Sequence, residues 1–412
     1  MALPLKIPQL QVSIDGRPSG ELLKHSIFEY RYSSPAPEQS RVALLMPARQ
    51  RPTWQDGDLF AVMDQTLPEG DLFLRLTMMY PKQQLQPMHL LAMVGQNGIG
   101  RLGYAIPGEA APTPLKPMAR QDLLALPFSQ KLFDELVSAY LSTGAGIAGV
   151  QPKIMVPDRA TVPIPSLIVK VASTQYPGLA ANEFLCLSAA KRAGIETPGF
   201  DLSHDGQMLV VDRFDLVSGA DGTVERLGFE DIASLMSLRV RDALSERKYR
   251  GSYQRVAELL TYLQLPAENL HCFFEQVALS VMVRNGDAHL KNFAVVYGKD
   301  EMPTLSPLFD VVTTAIYTYT RYVGDDEQTD RTMALKLFAG KHHTKAYPTT
   351  EELMQFGTEV CGVVRPGPVL QRIAQAMQET LADAKTDSRI PTDLLAKMAP
   401  VWRHGMAYVP LR

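Results

Sequence analysis

The chain has 412 residues, with 41 lysines and arginines against 44 acidic residues and a formal net charge of −3. Because a single hydrophobic core stops growing at roughly 250–300 residues, this length predicts two or three structural units. Hydrophobic residues make up 46% of the chain and charged residues 21%, so we expect a folded protein rather than a disordered one. The near-neutral charge balance excludes nucleic-acid binding through bulk positive charge, but it leaves a local basic patch open.

Three cysteines, Cys186, Cys272 and Cys361, lie far apart and form no C-x-x-C pair. A cysteine-based zinc site is therefore not expected, and so sparse a count fits a reducing cytoplasm. The N-terminus shows no long apolar segment, and the longest apolar runs are too short to span a bilayer. The sequence thus predicts a cytoplasmic protein without a signal peptide or a membrane partner.

The first part of the chain reads as short strands and turns with some helix. Residues 10–14 alternate like a strand and lead into a turn at Asp15-Gly16, and residues 71–80 and 88–94 have helical spacing. The glycine-rich segment 95–103 predicts a hairpin, and the proline-rich stretch 107–117 predicts a linker.

After the linker, helical spacing over 121–141 precedes a glycine-rich loop. Strands are predicted at 153–156, 167–171 and 207–214, and a helix at 182–192 that stops at Gly194. From Phe229 onward the pattern is mostly helical, apart from a polar loop after Val283, a strand at 293–297 and a segment around 333–338. A small strand-rich lobe therefore precedes a larger helical lobe.

The segment NGDAHLKN, residues 285–292, carries the strongest chemical signal. Asp287 is followed five residues later by Asn292, which is the D-x-x-x-x-N spacing of a kinase catalytic loop. In such a loop the aspartate orients the attacking hydroxyl and the asparagine supplies an amide oxygen to Mg²⁺. Taken alone, such a spacing is more often an ordinary polar turn with Asn-Gly and a helix cap, and only the other motifs favour the kinase interpretation.

Asp310, in SPLFDVV, lies where kinases place a second Mg²⁺-binding carboxylate. Phe309 precedes it and Val311 follows it, so the glycine of a D-F-G motif is absent. A simple helix N-cap is the competing interpretation.

Lys170 lies on the apolar strand LIVKV and resembles a lysine that holds nucleotide phosphates. Glu183, at the start of the next helix, is its candidate partner. The alternative is a lysine that reaches solvent from an edge strand.

Gly144, Gly146 and Gly149 form a G-x-G-x-x-G pattern. A dinucleotide site would need a strand before it and a helix after it, whereas the order here is the reverse. The context favours a loop over ATP phosphates. The candidate features follow one another along the chain in the order found in kinases. They are the glycine-rich loop, the lysine on a strand, the glutamate on the next helix, the hinge-like strand, the Asp/Asn pair and the metal-binding aspartate.

These segments resemble the HipA family of bacterial serine/threonine kinases, the toxins of HipA–HipB toxin–antitoxin pairs. The resemblance rests on AGVQPK, LIVK, NEFLCLSAAKRAGI, VVDRFD, NGDAHLKNF and SPLFDV, with LPEG and LLAMVGQNGIGRL nearer the N-terminus and MALKLFAGKH towards the C-terminus. It covers nearly the whole chain.

The resemblance implies an α+β, bilobal fold related to phosphoinositide-3/4-kinases. A small β-rich N-terminal subdomain (1–106) would precede a kinase N-lobe with the phosphate loop (107–215) and a mainly helical C-lobe (216–412). It also implies ATP and Mg²⁺ as cofactors, with Asp287 as the catalytic residue and Asn292 and Asp310 as the metal ligands. The implied nucleotide-binding residues are Ala148, Gly149, Val150, Gln151, Pro152, Lys153, Lys170, Asp212, Arg213, Phe214, His289, Lys291, Asn292, Phe309 and Asp310.

The resemblance further implies a protein substrate, such as an aminoacyl-tRNA synthetase, and an outcome of growth arrest or persistence. A HipB-like helix-turn-helix antitoxin would neutralise the kinase, with operator DNA contacted through the antitoxin. In the family, a phosphate-loop serine switches the kinase off when it is autophosphorylated. The matching position here is Gly146, and Ser142 and Thr143 are the nearest hydroxyls, so the sequence predicts that this switch is lacking.

Two other functional classes stay open at this point. One is a catalytically weak corepressor that acts with a DNA-binding antitoxin, and the other is a small-molecule phosphotransferase, which the N-terminal segment disfavours. The basic run from Arg239 to Arg250 could contact DNA, but its interleaved Asp242 and Glu246 favour a solvated helix face. His342-His343 is expected at the surface rather than in a metal site.

Overall fold

The structure is a computed structural model. It describes residues 4–33, 41–49, 51–109, 117–132, 134–135, 153–157, 165–171, 176–218, 223–299, 301–319 and 328–410.

The strands are short and are numbered here in chain order. They are β1 (Gln9–Ile14), β2 (Arg17–Lys24), β3 (Phe28–Tyr32), β4 (Thr53–Asp56), β5 (Leu102–Ala105), β6 (Lys153–Pro157), β7 (Pro165–Val171), β8 (Phe200–Leu202), β9 (Met208–Asp212), β10 (Leu216–Ser218), β11 (Val224–Arg226), β12 (Gly228–Asp231), β13 (Ala294–Tyr297), β14 (Thr304–Leu305), β15 (Thr318–Tyr319) and β16 (Gln328–Thr329).

The α-helices are numbered in the same way. They are α1 (Ala61–Asp64), α2 (Gly70–Met79), α3 (Pro87–Val94), α4 (Arg120–Ala125), α5 (Leu179–Arg192), α6 (Ile232–Leu235), α7 (Tyr253–Tyr262), α8 (Ala267–Met282), α9 (Thr350–Gln355), α10 (Pro366–Ala384) and α11 (Thr392–Met406). The described residues also include the 3-10 segments Asp242–Tyr249, Leu290–Asn292 and Thr314–Ile316 and a π-helical turn at Phe356–Val360. Residues 130–132 and 134–135 are helical as well.

The chain divides into two compact units, each built from separate stretches of sequence. The first contains residues 1–171, 210–248 and 294–302, and the second contains residues 172–209, 249–293 and 303–412. The division into 1–106, 107–215 and 216–412 therefore stays a prediction about the sequence.

The first unit contains an antiparallel sheet in the order β4-β3-β2-β1-β5. Leu10 and Val12 alternate with polar residues along β1 and are fully buried, as expected of a strand with one face on a core. Helix α3 begins with a proline at its first position and packs on β1 and β5 through residues that include Leu91 and Val94. These contacts build the core of the N-terminal part.

Polar contacts join this N-terminal part to the later segments of the same unit. Glu230, in β12, is 2% exposed, and its Oε1 accepts hydrogen bonds from the hydroxyl of Tyr297 and the amide of Leu44, both at 2.7 Å. The side chain of Gln65 donates to the carbonyl of Phe229 and accepts from the amide of Asp231, both at 2.8 Å. The first unit is therefore closed by hydrogen bonds between residues more than 160 positions apart.

The second unit is mainly helical. Along α10, Leu370, Ile373, Met377 and Leu381 recur on one buried face, and this helix packs against α5, α8 and α11. Trp402 of α11 is fully buried and donates its indole N–H to the hydroxyl of Thr313 at 2.8 Å. The prediction of a helical C-terminal part is confirmed.

Most predicted elements are found with ends shifted by at most about three residues, as in α5, which begins at Leu179 rather than at residue 182, and there are two larger differences. The glycine-rich segment 95–103 does not form a hairpin of its own, because β5 pairs with β1 instead. The helix predicted over residues 121–141 is interrupted: α4 stops at Ala125, two residues before Pro127, which disfavours the α conformation in the residue that precedes it, and helical structure resumes at residue 130. Residues 136–141 of that prediction lie outside the described residues.

Glu230 makes the stability of the first unit depend on pH. Burial raises the pKa of its carboxyl group to about 7, although the hydrogen bonds from Tyr297 and Leu44 act in the opposite direction. The folded protein therefore binds more protons than the unfolded chain between about pH 4.5 and 7. The stabilisation that comes from the protonated Glu230 carboxyl group is therefore fully present below pH 4.5 and is lost as the pH rises to about 7.

We predict that Glu230→Gln flattens the dependence of the unfolding free energy on pH between 5 and 8. The amide oxygen of glutamine can accept the same two hydrogen bonds and does not titrate in this range. Denaturant unfolding at a series of pH values measures the effect. The exposed Glu301, replaced by glutamine, is the control, and an unchanged slope in Glu230→Gln would contradict the assignment.

Candidate active site

The segment with the Asp/Asn pair begins where α8 ends. Arg284 has a φ of +57°, and the amide of Asn285 donates to the carbonyl of Ser280 at 2.8 Å, so the helix ends in a left-handed turn of the Schellman type. Glycine is usual at such a position. Here the guanidinium of Arg284 lies over the ring of Tyr347, 4.2 Å from its centroid, which helps to hold the turn.

Gly286 has no room for a side chain. A Cβ atom there would lie 2.7 Å from the carbonyl oxygen of Thr332 and 2.8 Å from Oδ2 of Asp330. The amide of Gly286 donates to the hydroxyl of Thr314 at 2.7 Å. The loop backbone is thus pressed against two other segments of the same unit just before Asp287.

Asp287 has an exposed side chain on a fixed backbone. Its amide donates to Oδ1 of Asn285 at 3.1 Å, and its carbonyl accepts from the amide of His289 at 2.7 Å. Its Oδ1 accepts a hydrogen bond from the hydroxyl of Tyr249 at 2.7 Å. Neighbouring residues thus hold both the backbone and one carboxylate oxygen of Asp287.

Asn292 is buried at the end of the 3-10 turn. Its side-chain oxygen Oδ1 accepts a hydrogen bond from the backbone amide of His289 at 3.0 Å. The backbone amide of Asn292 donates to the backbone carbonyl of His289, also at 3.0 Å. An amide oxygen has a second lone pair, so Oδ1 can still bind a cation. His289 and Asn292 are both less than 9% exposed, which fixes the direction of that oxygen.

Asp310 has a left-handed backbone, with a φ of +53°. This conformation is uncommon for a residue other than glycine, but aspartate tolerates it better than most. The following turn is held by Asn182, whose side chain accepts from the amide of Thr313 at 2.8 Å and donates to its carbonyl at 3.0 Å. Unusual backbone conformations of this kind concentrate at functional sites.

Asn292 and Asp310 offer an amide oxygen and a carboxylate, which are the donor types that Mg²⁺ prefers. The donor set therefore fits the predicted cation, and the two residues belong to the same unit. Among the described residues, no group of three or more histidine, cysteine, aspartate or glutamate side chains is arranged to hold a metal.

Lys170 is one of the predicted nucleotide-binding residues in the first unit. It lies on β7, and its exposed fraction is 4%. Lys153, the first residue of β6, is its register partner in the antiparallel pair. A lysine buried to this degree requires a counter-charge or a ligand, which disfavours the solvent-reaching alternative. Its pairing with Glu183 stays a prediction.

The predicted hinge residues have structural roles within the first unit. The guanidinium of Arg213 makes a two-pronged ion pair with Asp215, at 3.0 and 2.6 Å, and also donates to the carbonyl of Gly98 at 2.9 Å. Asp212 pairs with Arg120, and the ring of Phe214 lies near that of Phe229. The side chain of Arg213 is thus held by Asp215 and Gly98, and the nucleotide-binding roles of Asp212, Arg213 and Phe214 stay predictions.

The phosphate-loop residues Ala148, Gly149, Val150, Gln151 and Pro152 lie outside the described residues, as do Gly144, Gly146, Ser142 and Thr143. Lys291, Phe309 and Asp310 are partly exposed. The roles of all these residues in binding stay predictions.

Tyr249 was not predicted as a site residue. Its sequence neighbours are basic, and no local pattern indicates its contact with Asp287, 38 residues later. The structure also corrects the solvated-face interpretation for two of those residues. Arg239 pairs with Asp56, and Arg241 pairs with Asp58 and the buried Asp64. These two arginines are internal ion-pair partners. In the part of the chain that the structure covers, no helix is long and apolar enough to cross a bilayer.

Two family models match the sequence. The HipA-like C-terminal domain matches residues 145–387, and the HipA N-terminal domain matches residues 10–105. The solved complex of HipA, HipB and operator DNA from the Shewanella oneidensis MR-1 toxin–antitoxin system contains a chain of similar fold. The TM-score is 0.69 at 18% identity, over 97% of this chain and 96% of that one. This likeness confirms the α+β HipA-like fold.

Curated relatives are similar over shorter stretches. The inferred kinase Y4dM of Sinorhizobium fredii is 29% identical over 167 residues, or 37% of this chain and 38% of that protein. An inferred kinase of Haemophilus influenzae is 26% identical over 207 residues, or 47% of this chain and 59% of that protein. The chain therefore spans between two fifths and three fifths of the length of these relatives.

We predict that Gly286→Ala displaces the loop from residue 285 to residue 292. The added methyl group overlaps Thr332 and Asp330, which should lower the unfolding free energy by about 1–3 kcal/mol. Hydrogen exchange of the loop amides should also become faster, because the bond from residue 286 to Thr314 is lost. Gly57→Ala is the matched control, since nothing lies within 4 Å of its Cβ position. Equal exchange in both variants would refute the packing argument.

Proposed function

The chain belongs to the HipA family, and we propose from this premise that it is a Mg-ATP-dependent serine/threonine protein kinase with Asp287 as its catalytic residue. The observation that carries the proposal is the exposed carboxylate of Asp287 on a backbone fixed by Asn285 and Gly286. Asn292 follows on the same short turn. This arrangement supplies what phosphoryl transfer needs from a protein, which is positioning and charge stabilisation.

In the proposed reaction, the hydroxyl of an acceptor serine donates its hydrogen bond to the carboxylate of Asp287. The serine oxygen forms a bond to the γ-phosphorus of ATP, while the bond from that phosphorus to the β,γ-bridging oxygen breaks and ADP leaves. Asp287 receives the serine proton. Mg²⁺, when bound, neutralises charge on the phosphate oxygens, and Asn292 and Asp310 would hold it.

Lys170 would contribute positive charge to the nucleotide phosphates. Its burial makes a phosphate ligand favourable, because a desolvated ammonium gains more from a nearby anion than an exposed one does. The glycine-rich loop would supply backbone amides to the same phosphates.

We also propose that the protein is a toxin neutralised by a small DNA-binding antitoxin. The Shewanella complex contains HipA, HipB and operator DNA, and the similar fold over nearly the whole chain supports a comparable assembly. The acceptor would be a serine of another protein, with an aminoacyl-tRNA synthetase as one candidate. The alternative function is a catalytically weak corepressor that acts with such an antitoxin.

We predict that Asp287→Ala reduces phosphoryl transfer by at least about a hundredfold while Mg-ATP affinity changes little. The reason is that Asp287 serves the acceptor hydroxyl rather than the nucleotide. Transfer of radiolabel from γ-labelled ATP to lysate proteins measures the first quantity, and calorimetry measures the second. Asp393→Ala, an exposed aspartate on α11, is the control. Equal transfer by the wild type and Asp287→Ala would favour the corepressor.

We predict that Asp310→Asn weakens nucleotide binding in the presence of Mg²⁺ by at least about tenfold. Asparagine tolerates the left-handed backbone of this position, so the substitution removes charge and little else. Asn292→Asp keeps a side-chain oxygen that can both accept the hydrogen bond from His289 and bind the cation. Asn292→Ala removes that oxygen and so loses both interactions. Calorimetry with and without Mg²⁺ should therefore rank Asn292→Asp above Asn292→Ala. If all three variants bind Mg-ATP like the wild type, these residues are not the metal ligands.

A further inference from the structure

The hydroxyl of Tyr249 makes a directed contact with the carboxylate of Asp287. The two oxygens lie 2.7 Å apart, and the phenol donates to Oδ1. Tyr249 is the last residue of the 3-10 segment Asp242–Tyr249, and it belongs to the same compact unit as the loop from 285 to 292. A hydrogen bond to a carboxylate is charge-assisted and shorter than a neutral one, so it restricts rotation of the side chain.

The ring of Tyr249 is itself held in place. It packs edge-to-face against the imidazole of His289, with 5.2 Å between the ring centroids, and the ammonium of Lys345 lies 5.6 Å from its centroid. His289 is buried, and its amide bonds to the side chain of Asn292. Tyr249 therefore contacts the exposed acid directly and the predicted metal ligand through one intervening residue.

We propose that Tyr249 is a positioning residue for Asp287. Its hydrogen bond to Oδ1 holds the carboxylate in one orientation, in which it would meet the acceptor hydroxyl. Catalytic groups must be held within about 10–20° of their productive orientation, and a freely rotating carboxylate does not meet that requirement. This inference rests on the proposed kinase function and adds to it a residue that acts only through Asp287.

The test is Tyr249→Phe, which keeps the ring against His289 and removes the hydrogen-bond donor. The turnover number should fall about tenfold, which corresponds to the loss of one hydrogen bond to a charged group. The dissociation constant for Mg-ATP should stay at the wild-type value, and the melting temperature should fall by no more than about 2–4 °C, as expected for the loss of one hydrogen bond. Tyr262→Phe is the matched control, because Tyr262 is 75% exposed on α7 and the same atom is removed there.

A double-mutant comparison shows whether Tyr249 acts through the carboxylate. In an Asp287→Asn background, Tyr249→Phe should cause no further loss of the residual transfer rate. If Tyr249→Phe leaves the turnover number unchanged, the proposal is wrong. If it raises the turnover number, the tyrosine obstructs the acceptor instead of positioning the acid, and the proposal is equally wrong.

The failure of the proposed function can be told apart from the failure of this inference. A wild-type protein that transfers no phosphate would overturn the kinase assignment. The pair can then still be tested by a double-mutant cycle on unfolding with Tyr249→Phe and Asp287→Ala. Favourable coupling is expected between the two residues, and zero coupling would overturn the contact itself.

Discussion

The candidate active site depends on how the backbone is held between Asn285 and Asn292. This segment has little regular structure of its own, so side chains supply the hydrogen bonds that a helix or strand would otherwise make. Thr314 binds the amide of Gly286, and Asn285 binds that of Asp287. Tyr253 donates to the carbonyl of Ala288 at 2.8 Å. Because these groups belong to the helical unit, a change in the packing of that unit would move the backbone that carries Asp287.

A second constraint operates in the other unit. Arg213 and Asp215 form a buried ion pair that also binds the carbonyl of Gly98 and the amide of Gly100. Burying two charges is costly unless each has further hydrogen-bond partners, and the loop around Gly98 provides them. Removing one partner of such a pair costs about 3–5 kcal/mol. The ion pair therefore ties the segment after β9 to the backbone just before β5.

The sequence allowed accurate prediction wherever the signal was local. Asp287 and Asn292 were predicted on one short loop and lie on one short turn, and the alternation of residues 10–14 identified a strand. The catalytic and metal-binding roles of Asp287 and Asn292 stay predictions. Gly286 was interpreted as part of a polar turn, but the structure shows that glycine is needed there for lack of space, which depends on Asp330 and Thr332. That information is not contained in any short window of sequence.

Other features could not be predicted because they depend on distant partners. Tyr249 is 38 residues from Asp287, and its position follows from the packing of the helical unit. Arg213 is assigned to nucleotide binding by resemblance alone, which stays a prediction, and its ion pair with Asp215 was not predicted. The partners on that face, around Gly98, lie more than 110 residues earlier.

The long-range hydrogen bonds of the first unit also have a consequence for synthesis on the ribosome. The amide of Leu44 is 186 residues from the side chain of Glu230 that it binds. At roughly 5–20 residues per second, the N-terminal sheet emerges about 10–40 seconds before its partner strand exists. During that interval the surface that will bind β12 and β13 is uncovered. The growing chain must keep this surface from self-association until the later strands arrive, and a slower rate of translation would lengthen that exposure.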